Sequence, residues 1–146
     1  MALKISTKAR YGINAMFELA KRYGEGIIPL KTIAEAQQIP EAYLEQLINQ
    51  LRRDNLVKSS RGAMGGYELA DSPQTITVGQ VIYSLEGPMS MTGCLSEEDG
   101  QQCKREQCCP GWLVWSRISA AIDELFNEMT LQELVEKTPA NQDEIR

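Results

Sequence analysis

The 146-residue chain is long enough for one well-buried domain with an appendage, and too short for two ordinary enzyme domains. Its longest apolar runs, such as Trp112-Leu113-Val114-Trp115, fall far below the roughly 18 residues needed to span a bilayer, so no membrane association is expected. The net charge of −5 conceals an asymmetry: residues 1–67 carry ten Lys/Arg and six Asp/Glu, residues 68–146 five and fourteen. A basic amino-terminal half joined to an acidic carboxy-terminal half fits a nucleic-acid-reading module with a separate regulatory element, although uneven surface charge alone would look the same. The amino terminus lacks the apolar stretch and cleavage site of a signal peptide, which points to a reducing cytoplasm and makes disulfides the less favoured use of the thiols.

In chain order, residues 7–23 place Ile13, Met16, Phe17, Leu19, Ala20 and Tyr23 at helical spacing, with Gly24 and Gly26 as stop signals. Leu30, Ile33 and Ala34 mark a short helix ending near Gln37. After the break Gln38-Ile39-Pro40 a third helix is expected over 41–53, with Pro40 suited to its first turn, Leu44, Leu47, Ile48 and Leu51 as its buried stripe, and Asn55 as its end. Two helices across a tight turn make a helix-turn-helix. Two short strands around the Gly-rich turn Arg61-Gly62-Ala63-Met64-Gly65-Gly66 then read as a hairpin, which behind a helix-turn-helix makes a wing. A nucleotide-binding loop is rejected, because its glycines should lead into a helix and these lead into Tyr67-Glu68-Leu69.

Thr77-Val-Gly-Gln80 looks like a capping box opening a fourth helix through Leu85, closed by Gly87 and Pro88. From Pro110 a long helix repeats Trp115, Ile118, Ile122, Leu125 and Met129 at spacings of three and four, either as a core helix or as a seam for a second copy of the chain. Thr130-Leu-Gln-Glu133 caps a last short helix, and the polar residues from Pro139 onward read as frayed. The expected class is mainly α: a winged helix-turn-helix over 1–86, a cysteine-rich loop over 87–110, a dimerisation helix and short terminal helix over 111–138, and a flexible tail over 139–146.

The stripe on the third helix leaves Glu41, Glu45, Gln46, Asn49, Arg52 and Arg53 nearer its open face. Gln, Asn and Arg can pair bidentately with base edges, and the basic residues also neutralise phosphate. A solvated helix face would carry similar residues; the wing behind it tips the reading toward DNA. Glu45 fits badly, since a carboxylate is repelled by phosphates unless it accepts from the exocyclic amine of cytosine, and it would therefore discriminate between operators.

All four cysteines, Cys94, Cys103, Cys108 and Cys109, fall within 16 residues of a polar loop. Thiols gathered there have little to pack against and much to chelate. The spacings are not the paired knuckles of a structural zinc site, and a cluster with two or more irons tolerates irregular spacing better; zinc and unliganded redox thiols remain open on spacing alone.

The run Tyr43-Leu44-Glu45-Gln46-Leu47, the wing Arg61-Gly62-Ala63-Met64-Gly65-Gly66-Tyr67, Val78-Gly79-Gln80-Val81-Ile82, the cysteine loop and Leu131-Gln132-Glu133-Leu134 together resemble the IscR-like iron-sulfur cluster regulators, in order and over nearly the whole chain. The resemblance implies a homodimeric winged-helix transcription factor whose long helix crosses to the partner. It further implies a [2Fe-2S] cluster, delivered by the cluster assembly machinery and held by Cys94, Cys103 and Cys109. Promoter DNA would be met by Tyr43, Glu45, Gln46, Arg52, Arg61, Gly62, Gly65 and Gly66, with Arg61 reaching the minor groove and Glu45 governing which operators are accepted. One departure is plain. Where the cluster regulators have a histidine three residues after the last cysteine, this chain has Trp112, and it contains no histidine. An indole N–H has no lone pair to give. The fourth ligand must be another group: Glu45 of the partner subunit is favoured, Cys108 comes next, and Glu97, Glu98 and Glu106 are further carboxylates.

The expected function is thus a DNA-binding regulator, not an enzyme, in which cluster occupancy alters operator affinity or specificity. The competitors are a nitric-oxide or redox-sensing repressor of the same superfamily and a zinc-stapled DNA-binding protein. A version responding to cysteine supply through a partner protein is hard to square with four clustered cysteines.

Overall fold

Among the residues described by the computed structural model, 4–88 and 108–139, the chain forms six helices and one β-hairpin. Helix α1 (Thr7–Lys21) starts at Ser6, whose Oγ accepts from the Ala9 N–H at 3.0 Å. Its buried face consists of Ala9, Gly12, Ala15, Met16, Leu19 and Ala20, together with Glu18. Met16, Leu19 and Ala20 of the expected stripe are buried, but the face turns further toward the small residues: Ile13 and Phe17 are only half-buried, and Tyr23 lies beyond the helix end, exposed. The reason is steric. α1 is crossed closely by α4, where Leu85 lies against Gly12, and small residues permit that approach where the large ones would not.

Helices α2 (Leu30–Gln37) and α3 (Glu41–Arg53) form the helix-turn-helix. The chain turns at Gln38, which takes the left-handed conformation at φ 53°, and the Ile39 N–H returns to the Ala34 carbonyl at 2.9 Å. Pro40 precedes the first turn of α3 as its N-cap rather than lying within it. Leu44, Leu47, Ile48 and Leu51 are buried as their spacing predicts, each contributing about 1.5–3 kcal/mol relative to exposure. Asn55, at φ 61°, turns the chain out of the helix.

Glu18 ties this unit to α1. Its carboxylate is 1% exposed, and it accepts from Arg22 Nε at 2.7 Å and Gln37 Nε2 at 2.9 Å. Burial pushes its pKa up, but those hydrogen bonds and the charges of Lys21 and Arg22 outweigh it and hold the carboxyl below its ordinary value.

Strands β1 (Val57–Ser60) and β2 (Gly66–Leu69) pair antiparallel, Val57 opposite Leu69 and Ser60 opposite Gly66. A further pairing was not evident from the sequence: Ile28 and Tyr67 exchange both backbone hydrogen bonds at 2.8 Å, so the connection between α1 and α2 lies alongside the hairpin. Helix α4 (Val78–Glu86) opens with the expected capping box, Gln80 N–H to Thr77 Oγ1 at 3.2 Å and Thr77 N–H to Gln80 Oε1 at 2.9 Å. Helix α5 (Pro110–Glu128) buries none of its side chains, which overturns the core-helix reading for the chain by itself. Helix α6 (Leu131–Lys137) then returns to α1 and inserts Leu131 into the core; Val78 N–H to the Met129 carbonyl and Leu131 N–H to the Ile76 carbonyl stitch its start to α4.

Candidate nucleic-acid interface and cysteine site

Once its apolar stripe is buried, α3 presents Glu45, Gln46, Arg52 and Arg53 to solvent, with Asn49 and Gln50 half-exposed. Tyr43 is half-buried, its ring edge-on to Tyr11 with centroids 5.7 Å apart, so α1 fixes its orientation. At the far end of α3, Arg52 Nη1 donates to Ser59 Oγ at 3.3 Å and links the helix to β1. Lys58, Ser59, Ser60 and Arg61 are all exposed, which places the basic edge of the wing beside the open face of α3. The helix is anchored on its other side by Asp54, which accepts from Ser84 Oγ and, at 3.1 Å, from Gln50 Nε2; these two bonds lower its pKa. Beside that anchor a groove of about 740 Å³ runs between the end of α3, α4 and α5, lined in part by Asp54, Tyr83 and Phe126.

The wing glycines divide into two structural roles. Gly62, at φ 115°, adopts a backbone conformation that side chains disfavour. Gly66 is buried, and a Cβ there would stand 2.3 Å from the Ile28 carbonyl oxygen, so only glycine lets the hairpin close on the α1–α2 connection. Gly65 has no room either, since its Cβ would meet the Ser60 carbonyl oxygen at 2.6 Å. These contacts account for the Gly-rich turn through backbone geometry. Ser59 and the Ile28 strand segment are the interface features that the sequence reading missed: Ser59 had no distinguishing signal, and Ile28 lies in a stretch with no alternating pattern.

Of the predicted cluster ligands, Cys94 and Cys103 lie outside the described residues. Cys108 is exposed and Cys109 half-buried, and both are free thiols. Cys109 is the N-cap residue of the 19-residue helix α5 and makes no side-chain capping bond there, so its sulfur remains available to a ligand. This chemistry fits a metal-ligating role. Among the described residues, no group of three or more Cys, Asp or Glu side chains is placed to hold a metal ion. Glu45, exposed on α3, and the thiols of Cys108 and Cys109 therefore do not make up such a three-residue group. Trp112, at the position of the missing histidine, is half-buried in the first turn of α5.

A helix-turn-helix backed by a hairpin wing, with polar and basic side chains along the open face of its second helix, defines a winged-helix DNA-binding protein. Residues 5–137 match the model of the Rrf2 family, described as an iron-dependent transcriptional regulator, and the chain belongs to that family. It is 46% identical over 141 residues to the HTH-type transcriptional regulator CymR of Bacillus subtilis, covering 97% of this chain and 96% of that one. The solved structure of that protein, described as the global cysteine regulator of B. subtilis, superposes with a TM-score of 0.77 over 94% of this chain and 100% of that chain, at 47% identity. The HTH-type transcriptional regulator IscR of Sodalis glossinidius is 38% identical over 133 residues, 91% of this chain and 79% of that one. The structure of the IscR of T. potens gives a TM-score of 0.73 at 40% identity over 100% of this chain and 98% of that one. The chain is accordingly a DNA-binding transcriptional regulator, not an enzyme. Among the described residues no helix is long and apolar enough to cross a membrane.

Proposed function

We infer that the protein is a homodimeric, cytoplasmic promoter-binding regulator whose operator affinity is set by a [2Fe-2S] cluster in the cysteine loop. The reading carries with it the division into a DNA-reading unit over 1–86, a cysteine loop over 87–110 and a dimerisation unit over 111–138. The observation that supports it best is Cys109, an uncommitted thiol at the start of the helix that displays the apolar seam. Cys94, Cys103 and Cys109 would hold the cluster, supplied by the assembly machinery, with Glu45 of the partner subunit or Cys108 as the fourth ligand. When bound, the cluster supplies a redox- and supply-sensitive crosslink of these side chains.

The chain's own residues do the rest. Gln46 and Arg52 meet base edges and phosphate with Tyr43 held by Tyr11, Arg61 extends the contact along the wing, and Gly62, Gly65 and Gly66 set the shape of that wing. Drawing Glu45 toward the cysteine loop would remove a carboxylate from the phosphate-facing surface, giving the two states a differential affinity for operators.

Anaerobic purification tests the reading: a coloured dimer with equimolar iron and acid-labile sulfide is expected, together with a change of promoter preference when the cluster is removed. A colourless protein with bound zinc would overturn it. A Glu45→Ala protein with an unchanged cluster spectrum would eliminate only the fourth-ligand assignment. The likeness to CymR supports a second reading, in which the signal is cysteine supply and the thiols act without iron. That version requires a colourless protein, free of both iron and zinc, whose promoter binding responds to cysteine or to thiol oxidation.

A further inference from the structure

The tip of the wing carries an apolar side chain that the fold does not use. Met64 is 92% exposed, the most exposed of the large hydrophobic residues described. Its neighbours in the turn are Ala63 and glycines, which place no large apolar side chain next to it along the chain. The turn that carries it is closed by the Gly65 N–H donating to the Gly62 carbonyl at 2.9 Å. With Gly62 at positive φ and no room for a side chain at Gly65, the backbone beneath Met64 is held and the thioether projects outward.

The surroundings indicate what it meets. From Asn55 to Tyr67 the chain contains no acidic residue, while Lys58 and Arg61 are exposed. The hairpin follows α3 directly and is joined to it through Arg52 and Ser59, so with α3 in a major groove the wing lies toward the flanking backbone, and the proposed Arg61 contact would carry its tip to the adjacent minor groove. Apolar side chains placed there bury themselves against sugar and base edges and wedge into easily unstacked steps. An unbranched, polarisable methionine adapts to such a site better than a β-branched residue.

We propose that Met64 is an apolar minor-groove wedge that adds sequence preference at a deformable base step beside the half-site read by α3. This rests on the wing-in-groove reading above. Arg61 supplies the charge-dependent part of the wing contact and Met64 the salt-independent part. At 92% exposure Met64 adds little to the packing of the fold, so substitutions there are expected to leave stability unchanged.

The test uses the full-length protein and a duplex enriched by it from a random-sequence library, with dissociation constants measured by anisotropy across a salt series. Met64→Gln and Met64→Ala are expected to weaken binding by about three- to tenfold at every salt concentration, with the salt slope and thermal midpoint unchanged. Met64→Leu should retain most of the affinity, and Arg61→Ala should lower the salt slope by about one ion. Wild-type affinity in Met64→Gln and Met64→Ala, alongside a reduced slope in Arg61→Ala, would overturn the wedge and leave the wing contact standing. An unchanged slope in Arg61→Ala would overturn the wing contact itself and the wedge with it.

Discussion

The winged-helix unit and α5 use the same kinds of side chain in opposite ways. α3 buries Leu44, Leu47, Ile48 and Leu51 on one side and leaves polar and basic groups on the other. α5, the longest of the described helices, has an apolar seam of similar spacing, yet Trp115, Ile118 and Leu125 are exposed, Leu125 by 53%. Identical periodicity therefore leads to an internal core in one region and to an uncovered face in the other. What distinguishes them is whether the chain folds another layer over the stripe: α1 and α4 cover α3, whereas α5 meets α4 along one side and continues into α6. A seam left open on a helix of this length is suited to a second copy, which is the physical basis for including dimerisation in the proposed function.

The largest expected effect probes the covered region. Ile48→Ala removes a fully buried side chain and should cost about 2–5 kcal/mol of unfolding free energy in denaturant titrations. The matching change in the open region, Ile118→Arg, should leave the far-UV helical signal of the winged-helix unit largely intact and shift sedimentation from dimer toward monomer, weakening self-association by at least about tenfold. A monomer–dimer equilibrium unaffected by Ile118→Arg would show that the two regions differ less than their exposures suggest.

A third change concerns the joint between α1 and the helix-turn-helix. Glu18→Ala removes the acceptor shared by Arg22 and Gln37 and should cost about 1–3 kcal/mol in the same titrations. The pH dependence has a definite sign. The folded-state pKa of Glu18 is lowered, so the unfolded chain takes up its proton first as pH falls. The stabilisation is present above the unfolded carboxylate pKa of about 4.3 and is lost as pH drops through the lower folded value. Subtracting the variant's acid-denaturation curve from that of the wild type should reveal this limb, and curves that run parallel down to low pH would disprove the assignment.

Much of this contrast was readable in the residues. The bounds of α3, the capping box at Thr77 and Gln80, and the turn at Gly62 and Gly65 follow from local rules, because each depends on residues a few positions apart, whereas the need for glycine at position 66 is set by the distant Ile28 carbonyl. The elements missed are those decided at long range. Nothing around Ile28 announces that it will pair with Tyr67, and Leu131 looks like part of a surface helix until α6 returns to α1. The buried face of α1 is met in part, with Met16, Leu19 and Ala20 buried as their spacing predicts; the rest of its register is chosen by the closeness of α4, which favours Ala and Gly positions that a search for large apolar residues ignores. The cysteine loop was the clearest chemical signal, and its local arrangement is described only at Cys108 and Cys109. Among the described residues Glu45, Cys108 and Cys109 do not together form a donor set, and the assignment of Glu45 as a ligand is made for the partner subunit's copy.

The smallest expected effect lies in the turn that sets α3 against α2. Gln38 occupies the left-handed region, exposed, as the C-cap of α2, where its Cβ works against the conformation. The sequence break Gln38-Ile39-Pro40 located the turn but not this strain, because a non-glycine residue there gives no local sign of positive φ. Gln38→Gly relieves the steric cost of about 1–2 kcal/mol, and loses part of the gain to the greater freedom of glycine in the unfolded chain, about 0.4–1 kcal/mol. The net should be a stabilisation of about 0.5 kcal/mol, measurable as a higher denaturation midpoint at unchanged slope. Gln38 makes no contribution to the open face of α3, so operator affinity should remain that of the wild type. A loss of affinity without loss of stability would mean that the angle between the two helices is tuned through this residue, and that the covered region is less rigid than its burial implies.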